Sequence, residues 1–240
     1  MLRKLSLFTL VMLFIPMVAW LNNWQWLLNT NLQYPDLDRG LLLLTEAGSK
    51  PYALITCVVF MLWIMWLTRH RYSWLLVGFI CASTIIGTQV IKEGAKLTFK
   101  EPRPFVTQMF STNPEQFYML SKEVQKNEVM KFATEDTMSI VSHQADELGY
   151  SFPSGHTIFA VSWLLLFSGF LLGLSGQAVF FSQVFAIFWT GLMLISRLRL
   201  GMHYPIDLFV STLIAWVFNL VIFIYIVPYL ETWSLFKKRG

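Results

Sequence analysis

Three short stretches of this chain place ionisable side chains at the edges of apolar runs. KLTFKEPRPF carries Lys96 and Arg103, FPSGH carries Ser154, Gly155 and His156, and SRLRLGMHYPIDL carries Arg197, His203 and Asp207. Phosphoryl transfer needs charge neutralisation on the equatorial oxygens, a nucleophile in line and a proton for the leaving oxygen. Three cations, two imidazoles, a carboxylate and a helix-opening serine are side chains of those kinds.

Each stretch also has a plainer reading when taken alone. Lys96 and Arg103 stand seven residues apart, on one face if a helix persists, but Pro102 and Pro104 put Arg103 in an exit turn. Basic residues there can simply snorkel out of a bilayer, which is the reading for Lys100. Ser154 precedes a long apolar run and reads as an N-cap, with Gly155 allowing close backbone approach. The free amides behind it favour an anion, although a cap plus an interfacial His156 is the simpler account of that stretch. Arg197 ends one apolar run, and Pro205 fits the first turn of the next. Asp207 then projects from that turn, close enough to reach back to His203, and a carboxylate at such depth needs a partner. Arg199 is read as an interfacial anchor.

Topology brings the stretches together. A spanning helix takes about 20 mostly apolar residues. Six candidates fit, at about 5–22, 52–68, 73–95, 156–173, 178–197 and 206–228. The clusters fall at the end of the third, the start of the fourth, the end of the fifth and the start of the sixth. All four ends face one side. There His203 attacks as neutral imidazole with Asp207 fixing its tautomer, and His156 serves as general acid and base. Lys96, Arg103 and Arg197, with Ser154 and the Gly155 amide, bind the phosphate. No metal and no cofactor is demanded by this set. The Asp36–Asp38 pair lacks the context of an aspartyl-phosphate enzyme.

Composition agrees with a membrane setting. Of 240 residues 55% are hydrophobic, 16% aromatic and only 13% charged. The net charge of +4 is thinly spread, which argues against nucleic acid as a partner. Cys57 and Cys81 lie in apolar runs and neither opens a Cys-x5-Arg loop, so a thiol phosphatase is excluded. The basic, apolar N-terminus lacks a small-x-small cleavage site and reads as an uncleaved first span. Arg3, Lys4, Arg69, Arg71, Lys237, Lys238 and Arg239 fall on one side, expected to be cytoplasmic with both termini. The fold expected is an all-α integral membrane protein, one domain over 1–240, with six transmembrane helices. A long, lid-like periplasmic loop, about 99–150, joins helices three and four. Within it PEQFYMLSKEVQKNEVMKFATE spaces Phe117, Leu120, Val124 and Met130 as one amphipathic helix lying on the membrane surface.

The pattern Lys-x6-Arg-Pro, Pro-Ser-Gly-His and Ser-Arg-x5-His-x3-Asp resembles the three-part signature of the type 2 phosphatidic acid phosphatase superfamily. Every fixed position is present, in order, and the six-span layout covers nearly the whole chain. The resemblance implies a phosphohistidine on His203 and acid–base duty for His156. It further implies dephosphorylation of phosphatidylglycerophosphate, phosphatidate, lysophosphatidate, diacylglycerol diphosphate and undecaprenyl diphosphate at the periplasmic face of a bacterial inner membrane. A dedicated undecaprenyl-diphosphate phosphatase and a lipid phosphotransferase use the same residues and stay open. A transporter or lipid-binding protein is a third reading, which the paired histidines disfavour. The partners expected are the phospholipid or polyprenyl diphosphate substrate and membrane lipids, with no obligate protein partner.

Overall fold

In the computed structural model, which describes residues 1–27 and 35–238, every regular element is helical. The chain runs through α1 (Leu2–Leu21), α2 (Pro35–Glu46), α3 (Tyr52–Thr68) and α4 (Trp74–Phe99). Four short helices follow: α5 (Pro104–Met109), α6 (Pro114–Met119), α7 (Lys122–Met130) and α8 (Met138–Asp146). Then come α9 (Gly155–Phe170), α10 (Gln177–Arg199) and α11 (Pro205–Val221), which passes through a π turn, Ile222–Ile226, into α12 (Val227–Glu231). Residues 28–34 of the first polar link and Arg239 of the basic tail lie outside the described residues.

Four stretches are long and apolar enough to cross a membrane: Leu2–Leu21, Trp74–Met109, Gln177–Arg199 and Pro205–Glu231. The other two of the six expected spans are shorter apolar helices, α3 with 17 residues and α9 with 16. At 1.5 Å per residue these cover about 25 Å, against the roughly 30 Å of a hydrocarbon core.

α9 is the central rod. Every residue from Thr157 to Phe170 is buried, as expected of a helix that is apolar all round. It packs against α1, α3, α4, α10 and α11. Around its middle Phe60, Trp163, Phe167 and Trp189 meet edge to face, with centroids as close as 5.0 Å between Phe60 and Trp189. The surrounding helices turn Leu10, Phe14, Leu54, Val90, Phe181 and Phe188 outward, a greasy exterior that suits lipid.

Helix ends follow local chemistry. Ser73 caps α4 by accepting from the Leu76 amide, and Lys100 closes it in the left-handed region at φ 44°. Ser154 caps α9, and Pro205 opens α11 at its first position.

The long segment after α4 is not one surface helix. Asn113 and Ser121 each cap a separate helix, so the expected amphipathic stretch breaks at Leu120 into α6 and α7. Phe117 and Val129 are buried, whereas Leu120 and Val124 face outward. Phe117 and Val129 join Trp26, Phe105, Val106, Ile140, Leu200 and Met202 in a second apolar core. This core sits on the turn between α10 and α11. The Phe105 amide donates to the Gly201 carbonyl at 3.1 Å, and Gln144 Nε2 to the Leu200 carbonyl at 2.8 Å. Hydrophobic burial against that turn replaces the expected membrane surface for these residues.

Candidate active site

The turn from α10 to α11 positions His203. The Arg197 carbonyl accepts from both the Met202 and His203 amides, at 3.1 and 3.2 Å, which folds the chain back sharply. Tyr204 is extended ahead of Pro205, and its amide donates to Asp207 Oδ2 at 2.9 Å. The same oxygen faces His203 Nδ1 at 3.4 Å and accepts from the Ser151 hydroxyl. Nδ1–H directed at this carboxylate leaves Nε2 with its lone pair, by inference from the hydrogen-bond pattern. Burial, with Arg103 and Arg197 adding to it, holds the His203 ring well below the usual histidine range. The ring is therefore neutral at pH 7, as a nucleophile must be.

His156 stands in the first turn of α9. Ser154 Oγ accepts from the Thr157 amide at 3.3 Å and the Thr157 hydroxyl at 2.9 Å, while its own amide donates to Ser211 Oγ at 2.8 Å. Ser154 is thus committed as a cap, with only its O–H left to donate. The His156 ring is covered by the link between α2 and α3, where Ser49 Oγ lies 3.0 Å from Nε2. Gly48 makes this approach possible, because a Cβ there would come within 2.7 Å of His156 Cδ2. Gly155 likewise admits a neighbour: a Cβ would meet Lys92 Cδ at 2.8 Å, so Lys92 of α4 crosses the expected close-approach point.

The three predicted cations converge on a strap, residues 147–150. Lys96 Nζ donates to the Tyr150 carbonyl at 2.9 Å, and Arg103 Nε to the Gly149 carbonyl at 2.7 Å. Lys122, which the sequence did not suggest, donates to the Leu148 carbonyl at 3.0 Å. Arg103 also reaches the Met202 carbonyl, at 3.3 Å, next to His203. Arg197 is fully buried and donates to Thr45 Oγ1 and Glu147 Oε2, both at 2.7 Å.

Glu147 is the centre of the arrangement and has no counterpart in the sequence reading. Its carboxylate lies 2.7 Å from Arg197, 3.5 Å from Arg103 and 3.6 Å from both His156 and His143. Burial pushes this carboxyl up, but Arg197 and the cluster of nitrogen groups beyond it prevail and hold it well below the usual range. His143, on α8, bridges onward to Glu46 at 3.3 Å, and burial pushes its ring down to about 4. His143 and Glu147 are one helical turn apart, but the groups that make them part of this arrangement, Arg197, Arg103, His156 and Glu46, lie on distant segments that no local spacing marks.

The structure thus brings Arg103, Arg197 and His156 around one carboxylate and sets Asp207 beside His203, while Lys96 engages the Tyr150 carbonyl and Ser154 caps its own helix and meets the Ser211 hydroxyl. Arg199 is not an interfacial anchor. It pairs with the fully buried Asp38, its Nε 2.7 Å from Oδ1. A buried carboxylate draws the nearest guanidinium inward instead of letting it face lipid.

Comparison with known proteins gives a consistent picture. Residues 72–230 match the PAP2 superfamily. Phosphatidylglycerophosphatase B of Haemophilus influenzae is 43% identical over 235 residues, 94% of this chain and 96% of that protein. Phosphatidylglycerophosphatase B of Escherichia coli K12 is 33% identical over 221 residues, 89% of this chain and 85% of that protein.

Proposed function

Because the chain belongs to the PAP2 superfamily and is a lipid phosphatase, we propose that it removes the terminal phosphate of phosphatidylglycerophosphate to give phosphatidylglycerol. Phosphatidate, lysophosphatidate, diacylglycerol diphosphate and undecaprenyl diphosphate present the same terminal group and fall within this reading. The proposed setting is the bacterial inner membrane, with six spans, both termini cytoplasmic and the site at the periplasmic face.

In the proposed reaction His203 Nε2 attacks phosphorus as the P–O bond to the lipid breaks, and His156 protonates the leaving oxygen. His156 then takes a proton from water, whose oxygen attacks the phosphohistidine. Orthophosphate leaves and His203 returns neutral. Arg103 and Arg197 neutralise the equatorial oxygens in both steps, with Lys96, the Ser154 hydroxyl and the Gly155 amide assisting. No metal takes part.

The observation that carries this reading is the environment of the Glu147 carboxylate. One oxyanion already has Arg197 at 2.7 Å, Arg103 at 3.5 Å and His156 at 3.6 Å. A phosphoryl group needs the same neighbours, and one of them, Arg103, also donates to the Met202 carbonyl beside His203 at 3.3 Å.

The test is purified protein assayed on the five lipids, with and without chelator, beside His203→Ala. The expected result is activity on phosphatidylglycerophosphate indifferent to chelator, labelled phosphate trapped on the protein, and loss of both in the variant. Near-normal turnover by His203→Ala would reject the mechanism.

A further inference from the structure

Three donors converge on one oxygen of Asp207, and one of them belongs to none of the three motifs. Oδ2 receives the Tyr204 amide at 2.9 Å and the Ser151 hydroxyl, and faces His203 Nδ1 at 3.4 Å. Oδ1 is buried and has no hydrogen-bond partner among the described residues. Ser151 Oγ is also 3.5 Å from His203 Nδ1, so the hydroxyl bridges carboxylate and imidazole. The residue itself is fully buried, and its amide donates to the Glu101 carbonyl at 2.7 Å. That bond ties the end of the strap to the turn carrying Arg103.

A buried carboxylate turns about its side-chain torsions until its donors are satisfied. Here the imidazole is the most distant of the three, so it does not set the orientation. The Tyr204 amide fixes Oδ2 from the helix side, and the Ser151 hydroxyl fixes it from the strap side. A nucleophilic histidine depends on this orientation, since a carboxylate turned away leaves the ring free to adopt the wrong tautomer.

We propose that Ser151 is a positioning residue of the reaction, its hydroxyl holding Asp207 Oδ2 toward His203 Nδ1. This rests on the reading of His203 as nucleophile. The Ser151 hydroxyl has Asp207 Oδ2 and His203 Nδ1 as its partners, so it acts on the chemical step and not on substrate affinity.

The test is a double-mutant cycle in the full-length protein in detergent, reading kcat and KM by release of labelled phosphate from phosphatidylglycerophosphate. Ser151→Ala is expected to lower kcat about tenfold with KM unchanged within about twofold, and Ser151→Thr, which keeps the hydroxyl, to recover most of the rate. In an Asp207→Asn background, adding Ser151→Ala should cost nothing further, because the group it positions is already altered. Should the alanine variant fail to fold, Ser151→Cys, of similar volume with a weaker donor, takes its place in the cycle. A wild-type kcat for the hydroxyl-free variant, a loss confined to KM, or an undiminished loss in the Asp207→Asn background would each overturn the proposal. Failure of the nucleophile assignment itself shows separately, as activity retained by His203→Ala.

Discussion

The Glu147 carboxylate sits 2.7 Å from the Arg197 guanidinium, so protein oxygen fills the place proposed for the substrate's phosphate. A phosphoryl dianion has to displace it. Glu147→Gln removes the competing charge while keeping the shape, and KM for phosphatidylglycerophosphate is expected to fall about tenfold, equivalent to about 1.4 kcal/mol. Inhibition by vanadate should tighten in parallel. Arg197 loses its ion-pair partner, so the variant should also melt earlier. A raised KM would mean instead that Glu147 helps to hold the substrate.

Arg197 carries the second expectation. Its two nitrogens serve different partners, Nη1 meeting Thr45 and Nη2 meeting Glu147. Lysine offers one ammonium and cannot span both directions. Arg197→Lys is therefore expected to lower kcat/KM about 100-fold while the protein remains folded in detergent. Steady-state kinetics with a thermal melt decides it, and a loss under threefold would remove Arg197 from the phosphate site.

How much of this was legible in the sequence depends on how local each signal is. His203 and Asp207 are one helical turn apart beside Pro205, and Ser154 caps the helix bearing His156, so short-range rules located both. Glu147 meets Arg197 across 50 residues, and nothing in DELGY marks it. The single surface helix expected from apolar spacing in the loop is broken by capping residues. Asn113–Pro114 and Ser121 are start signals only eight residues apart, too close for one long helix. Arg199 turns inward instead of anchoring at the interface because of Asp38, a partner 161 residues away that no local signal marks.

His143 makes a pH prediction for stability. Burial holds its ring at about 4 in the folded chain, against the ordinary 6.5. As pH falls the unfolded chain takes this proton first, so the folded state loses stability from about 6.5 down to about 4. Above 6.5 the group contributes no slope. At about 1.4 kcal/mol per unit the drop is roughly 3 kcal/mol. Melting curves between pH 4 and 7 should show His143→Gln losing less stability than the parent over that window. Parallel curves would contradict the assignment.

α2 is fastened to α10 at two points. Asp38 and Thr45 are seven residues apart on α2, two turns and hence one face, and they meet Arg199 and Arg197 at 2.7 Å each. One helix is thus held at two points by guanidinium groups two residues apart in sequence on the other. Thr45 belongs to the site, whereas the Asp38 pair lies at the far end of α2. Removing one partner of a buried pair costs more than removing both, because the survivor is left uncompensated. Asp38→Asn should therefore cost about 3 kcal/mol of stability, and adding Arg199→Gln should recover part of it. Turnover per folded molecule should hold in both variants, since Asp38 and Arg199 meet each other near the start of α2, two turns from Thr45. Denaturation and kinetics on the same samples separate the two effects. A loss of kcat that exceeds the loss of folded protein would show that the far end of α2 reaches the chemistry after all.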